Sequence, residues 1–290
     1  MAEPIPFSAI KTVIGRRGRP FIKMHGLRND FIIIDGRTKP YRPSVEEVVR
    51  ICDRHEGVGA DELVIVEPPK SVDEYAFMRI FNPDGREVEA CGNATRCIGW
   101  LCLQESKCND VVIDSRGGRL RCRMVAEKEV AVEMGQLRTG WQDIPLAREM
   151  DTLHLKIGAG PLQDPVGMNI GNPHAVFFVD DLDTIDLAAY GSKLQKHPLF
   201  PQETNIGIAQ LVDPKTLKLS VWERPGALTT ACGTGACAAA GAAHRRGLTS
   251  EKRMTVIMPA GSVKIELKKD DTVIMIGPVE YCYSGFLPTE

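Results

Sequence analysis

The chain carries the same pattern twice, and any fold it adopts has to accommodate both copies. Ala90-Cys91-Gly92-Asn93 returns as Ala231-Cys232-Gly233-Thr234, an offset of 141 residues. Nine residues before each Cys, a polar residue closes a strand-like run: Asn82 after 78–81, and Glu223 after 219–222. Upstream, Asn29 with the run 32–35 matches Asn172 with 175–180 at an offset of 143, and Asp61 before 63–66 matches Asn205 before 206–211 at 144. Downstream, each Cys motif opens a predicted helix, 93–106 and 235–246. Three strand-like runs follow each helix: 111–114, 119–125 and 130–134 in the first copy, and 255–258, 263–267 and 273–276 in the second. Gly135 and Gly277 close the two series. An ordered set of matches at a near-constant spacing marks a duplicated structural unit.

Two lobes follow from the duplication: an N-terminal lobe over 1–136, to which the tail 278–290 returns, and a C-terminal lobe over 137–277. A length of 290 residues suits two domains of roughly 150 each. Turns rather than helices separate most of the strands. The fold class is therefore α/β of the α+β type, with largely antiparallel sheets.

Composition excludes several classes. Hydrophobic residues make up 43% and charged residues 26%, enough for a sizeable core and too apolar for disorder. A net charge of −2 offers no basic surplus for nucleic acid or an anionic membrane. Nine cysteines, an odd number in a chain too long to need staples, indicate reduced thiols and a cytoplasmic protein. Residues 1–20 hold Glu3, Pro4, Pro6, Arg16, Arg17 and Arg19, with a strand-like run at 9–13 and no apolar core of export-signal length. The uncharged stretch 225–243 is built of Ala, Gly, Thr and Cys, too weakly apolar to enter a membrane. It reads as a closely packed helix.

The chemistry concentrates on the two Cys motifs. A Cys just before a helix has the unsatisfied N–H groups of the first turn beside its sulfur, and the positive helix end favours thiolate. That effect, about 0.3–1 kcal/mol, is on the order of one pKa unit below a free value near ~8.5. It poises a thiol without ionising it, so a neighbouring base is needed. A lone Cys in a reduced protein is most often a small core residue, and Cys52, Cys97, Cys102, Cys108, Cys122, Cys237 and Cys282 are read that way. Cys91 and Cys232 are set apart by the repeat, since a two-fold axis would turn both helix ends toward one cleft. One thiolate removing a proton from a carbon while the other thiol delivers one to the opposite face is racemisation or epimerisation.

His174 and Glu223 are candidate bases for these thiols. Asn29, Asn82, Asn93, Asn172 and Asn205, all at element ends, suit a zwitterionic ligand. Gly233-Thr234-Gly235-Ala236-Cys237-Ala238 fits a dinucleotide fingerprint but does not follow a buried strand. Cys91, Cys97, Cys102 and Cys108 run along one predicted helix too regularly for a tetrahedral metal site. No cofactor and no metal are expected.

At these residues the chain resembles the diaminopimelate epimerase family. The carrying segments are Met24 to Phe31, Gly57-Val58-Gly59-Ala60-Asp61, Arg79 to Cys97, Gly171-Asn172-Pro173-His174, Phe200-Pro201 with Thr204-Asn205, Glu223-Arg224, and Ala231 to Ala238. The resemblance implies two pseudo-symmetric lobes, each a sheet curled around a central helix, with the active site between them. It implies Cys91 and Cys232 as the acid–base pair, one thiolate and one thiol at rest, with His174 supporting Cys91 and Glu223 supporting Cys232. Gly92, Asn93, Gly233 and Thr234 would bind the reacting α-carboxylate through helix-end N–H groups. Asn29, Asn82, Asn172, Asn205 and Arg224 would hold the distal amino-acid end. The implied substrates are LL- and meso-diaminopimelate, in lysine and cell-wall precursor synthesis. The expected partners are this small amino acid and at most a second copy of the chain in a homodimer.

The chain departs from the family pattern at Arg28 and Glu62, where Gly is common, at Ala94-Thr95, and over 225–230, which lacks a Gly-Glu-Thr run. Arg28 adds a charge near the expected cleft. Two other readings compete. A proline or hydroxyproline racemase would not need Arg224 and the Asn set. A non-catalytic thiol protein binding metal or sensing redox state would show no proton exchange.

Overall fold

The computed structural model describes residues 18–89, 91–224 and 226–288. The strand-like run at 9–13 lies outside the described residues. The chain divides into two compact units, one running to Val132 and resuming at Gly277, the other Glu133–Ile276.

The first unit opens with β1 (Arg19–Gly26) and β2 (Asn29–Asp35), an antiparallel hairpin whose register closes on Gly26 and Asn29. Leu27 and Arg28 turn that hairpin with φ of 56° and 64°, the left-handed region that the twist of a two-residue hairpin demands. Then come α1 (Val45–Cys52), β3 (Glu62–Glu67), β4 (Ala76–Phe81), β5 (Glu87–Val88), α2 (Gly92–Ser106), β6 (Asp110–Asp114), β7 (Leu120–Ala126) and β8 (Glu129–Gln136).

The second unit holds β9 (Gly158–Ala159), β10 (Leu162–Gln163), β11 (Val166–Asn169), β12 (Pro173–Phe178) and α3 (Leu187–Gln195). It continues with β13 (Asn205–Asp213), β14 (Thr216–Glu223), β15 (Ala227–Thr229), α4 (Gly233–Arg245), β16 (Arg253–Met258), β17 (Gly261–Leu267) and β18 (Thr272–Pro278). The tail forms β19 (Glu280–Leu287), which pairs antiparallel with β1.

Strand pairing repeats element by element. In the first unit β1–β2, β3–β4, β4–β5, β6–β7 and β7–β8 are antiparallel, while β2–β3 and β4–β6 are parallel. In the second, β11–β12, β13–β14, β14–β15, β16–β17 and β17–β18 are antiparallel, while β12–β13 and β14–β16 are parallel. A parallel pair needs a crossover, and each of the four encloses one helix. Two of those helices, α1 and α3, are not expected from the sequence pattern. They are only 8 and 9 residues long, shorter than the window of roughly 11–18 residues over which a helical period is read. Local signals still define them: Ser44 and Glu47 form a reciprocal capping box on α1, and the Asp186 carboxylate caps α3 through Ala188 N.

The strands beneath these helices are covered on both faces and read as unbroken apolar runs, Phe31 to Ile34 and Leu63 to Val66. Ile32, Ile34, Leu63 and Ile65 pack against Val48 and Ile51 of α1. In the second unit Phe177, Ile206 and Ile208 share a core with Leu187 and Leu194 of α3.

The opposite faces belong to α2 and α4. Helix α2 packs on β1, β4, β6 and β7, and α4 on β11, β12, β13, β14, β16 and β17. Both are buried nearly all round, Asn93 to Leu103 and Gly235 to Ala243, as a core helix must be. Small residues let the sheets close on them. A Cβ on Gly99 would sit 2.7 Å from Cys122 Cβ and Sγ, and one on Gly241 would sit 2.5 Å from Leu137 Cδ1. The two glycines are themselves 142 positions apart, so the tightest contact is duplicated too. Among the described residues no helix is long and apolar enough to cross a membrane.

Candidate active site

In the first unit, Cys91 is the N-cap of α2 in extended backbone. Its sulfur lies 3.6 Å from Asn29 Oδ1, which also accepts from Asn93 Nδ2 at 3.0 Å. Asn29 is held in turn by its own Nδ2, donating to Asp61 Oδ2 at 3.2 Å. Arg54 binds Asp61 and Asp30 at 2.8 and 2.7 Å, and Lys23 binds Asp30 at 2.7 Å. Burial alone would raise the Asp30 carboxyl, but Arg54 and Lys23 hold it well below the usual carboxylate range. A chain of charges from Lys23 to Asp61 thus orients the amide beside the thiol. Gly92 is the first residue of α2, and Asn82 follows β4 in a turn closed by Asn82 N to Arg86 O at 2.9 Å.

One residue at this thiol is not among the site residues that the sequence pattern points to. The Glu62 carboxylate is within hydrogen-bonding reach of Cys91. The repeat contained the signal, misaligned by one. Phe31 pairs with Glu62 and His174 with Asn205, so the strand position equivalent to Asn205 is Glu62, at an offset of 143, and not Asp61.

In the second unit, Cys232 caps α4 and is 4% exposed. Its sulfur accepts from Gly235 N at 3.3 Å and lies 3.5 Å from Thr234 Oγ1. Glu223, the last residue of β14, reaches the thiol and takes a hydrogen bond from the Thr229 hydroxyl. His174 is wholly buried, its Nε2 at 2.9 Å from Asn172 Oδ1, 3.1 Å from Thr234 Oγ1 and 3.4 Å from Asn205 Nδ2. Asn205 Oδ1 accepts from Arg224 N, and the Arg224 guanidinium donates to Gln202 O, both at 2.9 Å. Gly233 opens α4. Cys232, His174, Glu223, Asn172, Asn205, Thr234 and Arg224 therefore form one connected group.

The expected lowering of the two thiols is reversed. Burial pushes both Cys91 and Cys232 well above the ordinary thiol value, and the charges of Glu62 and Glu223 push them further. The first-turn amides of Ala94, Asn93 and Gly235, with the Thr234 hydroxyl, pull the other way. Losing water outweighs a helix end whose effect is roughly one unit. His174 moves as well: burial, with Arg224 nearby, lowers it to about 3, so the ring is neutral at pH 7. Of the seven cysteines read as core residues, Cys52, Cys97, Cys102, Cys122 and Cys237 are buried, but Cys108 and Cys282 are exposed. Cys108 lies beyond the end of α2 and Cys282 on β19.

Each unit thus holds a buried-helix thiol, its own carboxylate and amides at the strand ends. The diaminopimelate epimerase family model matches residues 21–139 and 166–282, covering both thiol clusters. The chain belongs to the diaminopimelate epimerase family. It is 47% identical to the diaminopimelate epimerase of Rhodospirillum centenum over 269 residues, which cover 93% of this chain and 92% of that one. The diaminopimelate epimerase of Phenylobacterium zucineum is 44% identical over 275 residues, 93% and 98% of the two chains.

Solved structures share the fold at far lower identity. A hydroxyproline epimerase from Agrobacterium vitis superposes with a TM-score of 0.65 at 13% identity, over 93% of this chain and 92% of that one. A PhzF-family phenazine biosynthesis protein from Bacillus anthracis gives 0.65 at 16%, over 94% and 100%. Membership of the diaminopimelate epimerase family fits the α+β fold with its duplicated sheet and helix.

Proposed function

We propose that this protein interconverts LL- and meso-diaminopimelate by a 1,1-proton transfer at one α-carbon, with Cys91 and Cys232 as the two acid–base groups and no cofactor. The observation that carries this reading is the duplicated Cys at the N-cap of a buried helix, each with a carboxylate in reach.

One thiolate withdraws the α-proton and the other thiol protonates the opposite face. The α-hydrogen of an amino acid is a very weak acid, so the negative charge that develops on the α-carboxylate needs fixed dipoles. The first-turn N–H groups of Gly92, Asn93, Gly233 and Thr234 supply them without reorganising. The raised thiols suit the task, because a thiolate that is harder to form is also a stronger base once formed. Glu223 accepts the proton that Cys232 must shed before it acts as base. Neutral His174 fixes Thr234 and Asn172 rather than ionising a thiol itself. Asn29, Asn82, Asn172, Asn205 and Arg224 provide amide and guanidinium groups for a distal carboxylate and ammonium that do not react. The reaction belongs in the cytoplasm, where nine free thiols stay reduced, and serves lysine and cell-wall precursor synthesis.

The test is turnover in D₂O. LL-diaminopimelate should gain one deuterium at the inverted α-carbon, with proline and trans-4-hydroxyproline left unlabelled. Labelling of proline instead would turn the assignment to a proline racemase. Stoichiometric bound metal with no exchange into diaminopimelate would replace it with a thiol binding protein.

A further inference from the structure

The two units deliver a carboxylate to their thiols from different strands. In the second unit the carboxylate is Glu223, at the end of β14, and the facing strand β13 begins with Asn205. The last paired residues there are Ile206 and Trp222, so Asn205 and Glu223 stand opposite each other one step further on. In the first unit the last pair is Leu63 and Phe81, and one step on stand Glu62 and Asn82. The same two positions carry one carboxylate and one amide in both units, exchanged between the strands. Because side chains directly opposite on antiparallel strands lie within about 5 Å, either position can serve the same helix end.

We propose that Glu62 is the positioning residue of Cys91, holding its S–H and taking that proton when the sulfur turns base, as Glu223 does for Cys232. In that step the S–H bond of Cys91 breaks and an O–H bond forms on Glu62. The thiolate then takes the α-proton, breaking the C–H bond and restoring S–H, and the carbanion is protonated by the Cys232 thiol. Glu62 releases its proton to water, and Cys232 recovers one. Ordinary thiol and carboxyl strengths differ by about four pKa units, so the ion-exchanged pair is a minor species, drawn forward only by the α-proton transfer. Among the described residues, Glu62, Asn29 and the first-turn amides of Asn93 and Ala94 face the Cys91 sulfur, so Glu62 brings a carboxylate within its reach.

This inference rests on the epimerase reading. Glu62→Gln keeps the side-chain shape and removes both the charge and the proton acceptor. Its kcat should fall about 10²-fold or more, with KM within about 3-fold of wild type. Iodoacetamide alkylation of Cys91 at pH 7, followed by peptide mass mapping so that exposed Cys108 and Cys282 are counted separately, should become faster. Removing a negative charge eases thiolate formation even as turnover is lost, so the pH profile of Cys91 alkylation should move to lower pH, a shift that mere loosening around the thiol does not produce. Glu62→Asp should recover most of kcat, and Glu223→Gln should repeat the pattern at Cys232. Wild-type kcat in Glu62→Gln, or a fall with Cys91 alkylation unchanged, overturns the proposal. So does a folded Glu62→Asp as inactive as Glu62→Gln. A wild-type protein that exchanges no deuterium into diaminopimelate defeats the epimerase reading itself.

Discussion

Compared side by side, the two thiol sites share a backbone and differ in almost every supporting side chain. Each Cys caps a buried helix that follows the same series of strands, yet the Cys232 sulfur accepts Gly235 N at 3.3 Å in capping geometry, while the Asn93 and Ala94 amides face the Cys91 sulfur without closing such a cap. Where the second unit places buried His174, the first places buried Phe31, both at 0% exposure. Where the second turns its hairpin near Gly171 at φ 93°, the first uses Arg28 at φ 64°. The carboxylate has moved across the strand pair. The lesson is that the duplicated strand pairing preserves where side chains are delivered, not which residue delivers them. Once two antiparallel ends aim at one helix terminus, an acid on either strand meets the thiol.

That comparison is broken most severely at the sulfurs. Cys91→Ala and Cys232→Ala should each lower epimerisation by at least ~10²-fold, measured as deuterium uptake. Their stabilities should separate, with Cys232→Ala losing about 0.5–1 kcal/mol more in urea melts because its sulfur holds Gly235 N in capping geometry. Equal stability losses would show that the Gly235 bond is inert.

The His–Phe difference is read in acid. His174 binds its proton at about 3 in the fold against 6.5 when free. The unfolded chain therefore takes up the proton first as pH falls. Stability from the neutral ring is complete above about 6.5 and drains away as pH drops toward 3. Between pH 7 and pH 4 this amounts to about 3 kcal/mol. His174→Phe, which copies the first unit, should flatten that part of the pH dependence of the urea midpoint. An unchanged slope would mean that other groups carry it.

The matched glycines sharpen the packing comparison. Gly99→Ala should destabilise by about 1–3 kcal/mol, because the new methyl meets Cys122 Cβ. Gly241→Ala should cost less, since it meets the movable ends of Leu137 and Met168. Thermal melts in the reverse order would show that α2 has more room than its contacts imply. The smallest effect belongs to the hairpin turns. Arg28→Gly should stabilise by roughly 0.5 kcal/mol, relieving a left-handed residue at about 1–2 kcal/mol against the added chain entropy of glycine. Gly171→Ala should do the opposite.

Much of this was legible in the residues themselves. The strands with unbroken apolar runs, Ile32 to Ile34 and Leu63 to Val66, and the helices after Cys91 and Cys232, lie where periodicity and the repeat put them. The short crossover helices α1 and α3 are not, because two turns fall short of the window over which a period is read and their clearest marks are caps. Glu62 was misaligned because Asp61 and Glu62 are adjacent acids and only strand register tells which faces Phe31. The helix end predicts the wrong sign for the thiol shifts, because it is a local feature, whereas burial depends on strands far away in the chain.

By itself the sequence determined the duplication, the two cysteines it singles out and the α+β class, because repeats and apolar periods are properties of neighbours along the chain. Only the tertiary structure decided that each thiol keeps its own carboxylate, that both thiols are raised and that His174 is neutral. Those outcomes depend on which side chains share a dry space, and dehydration is set by residues that meet only when the sheets close around their helices.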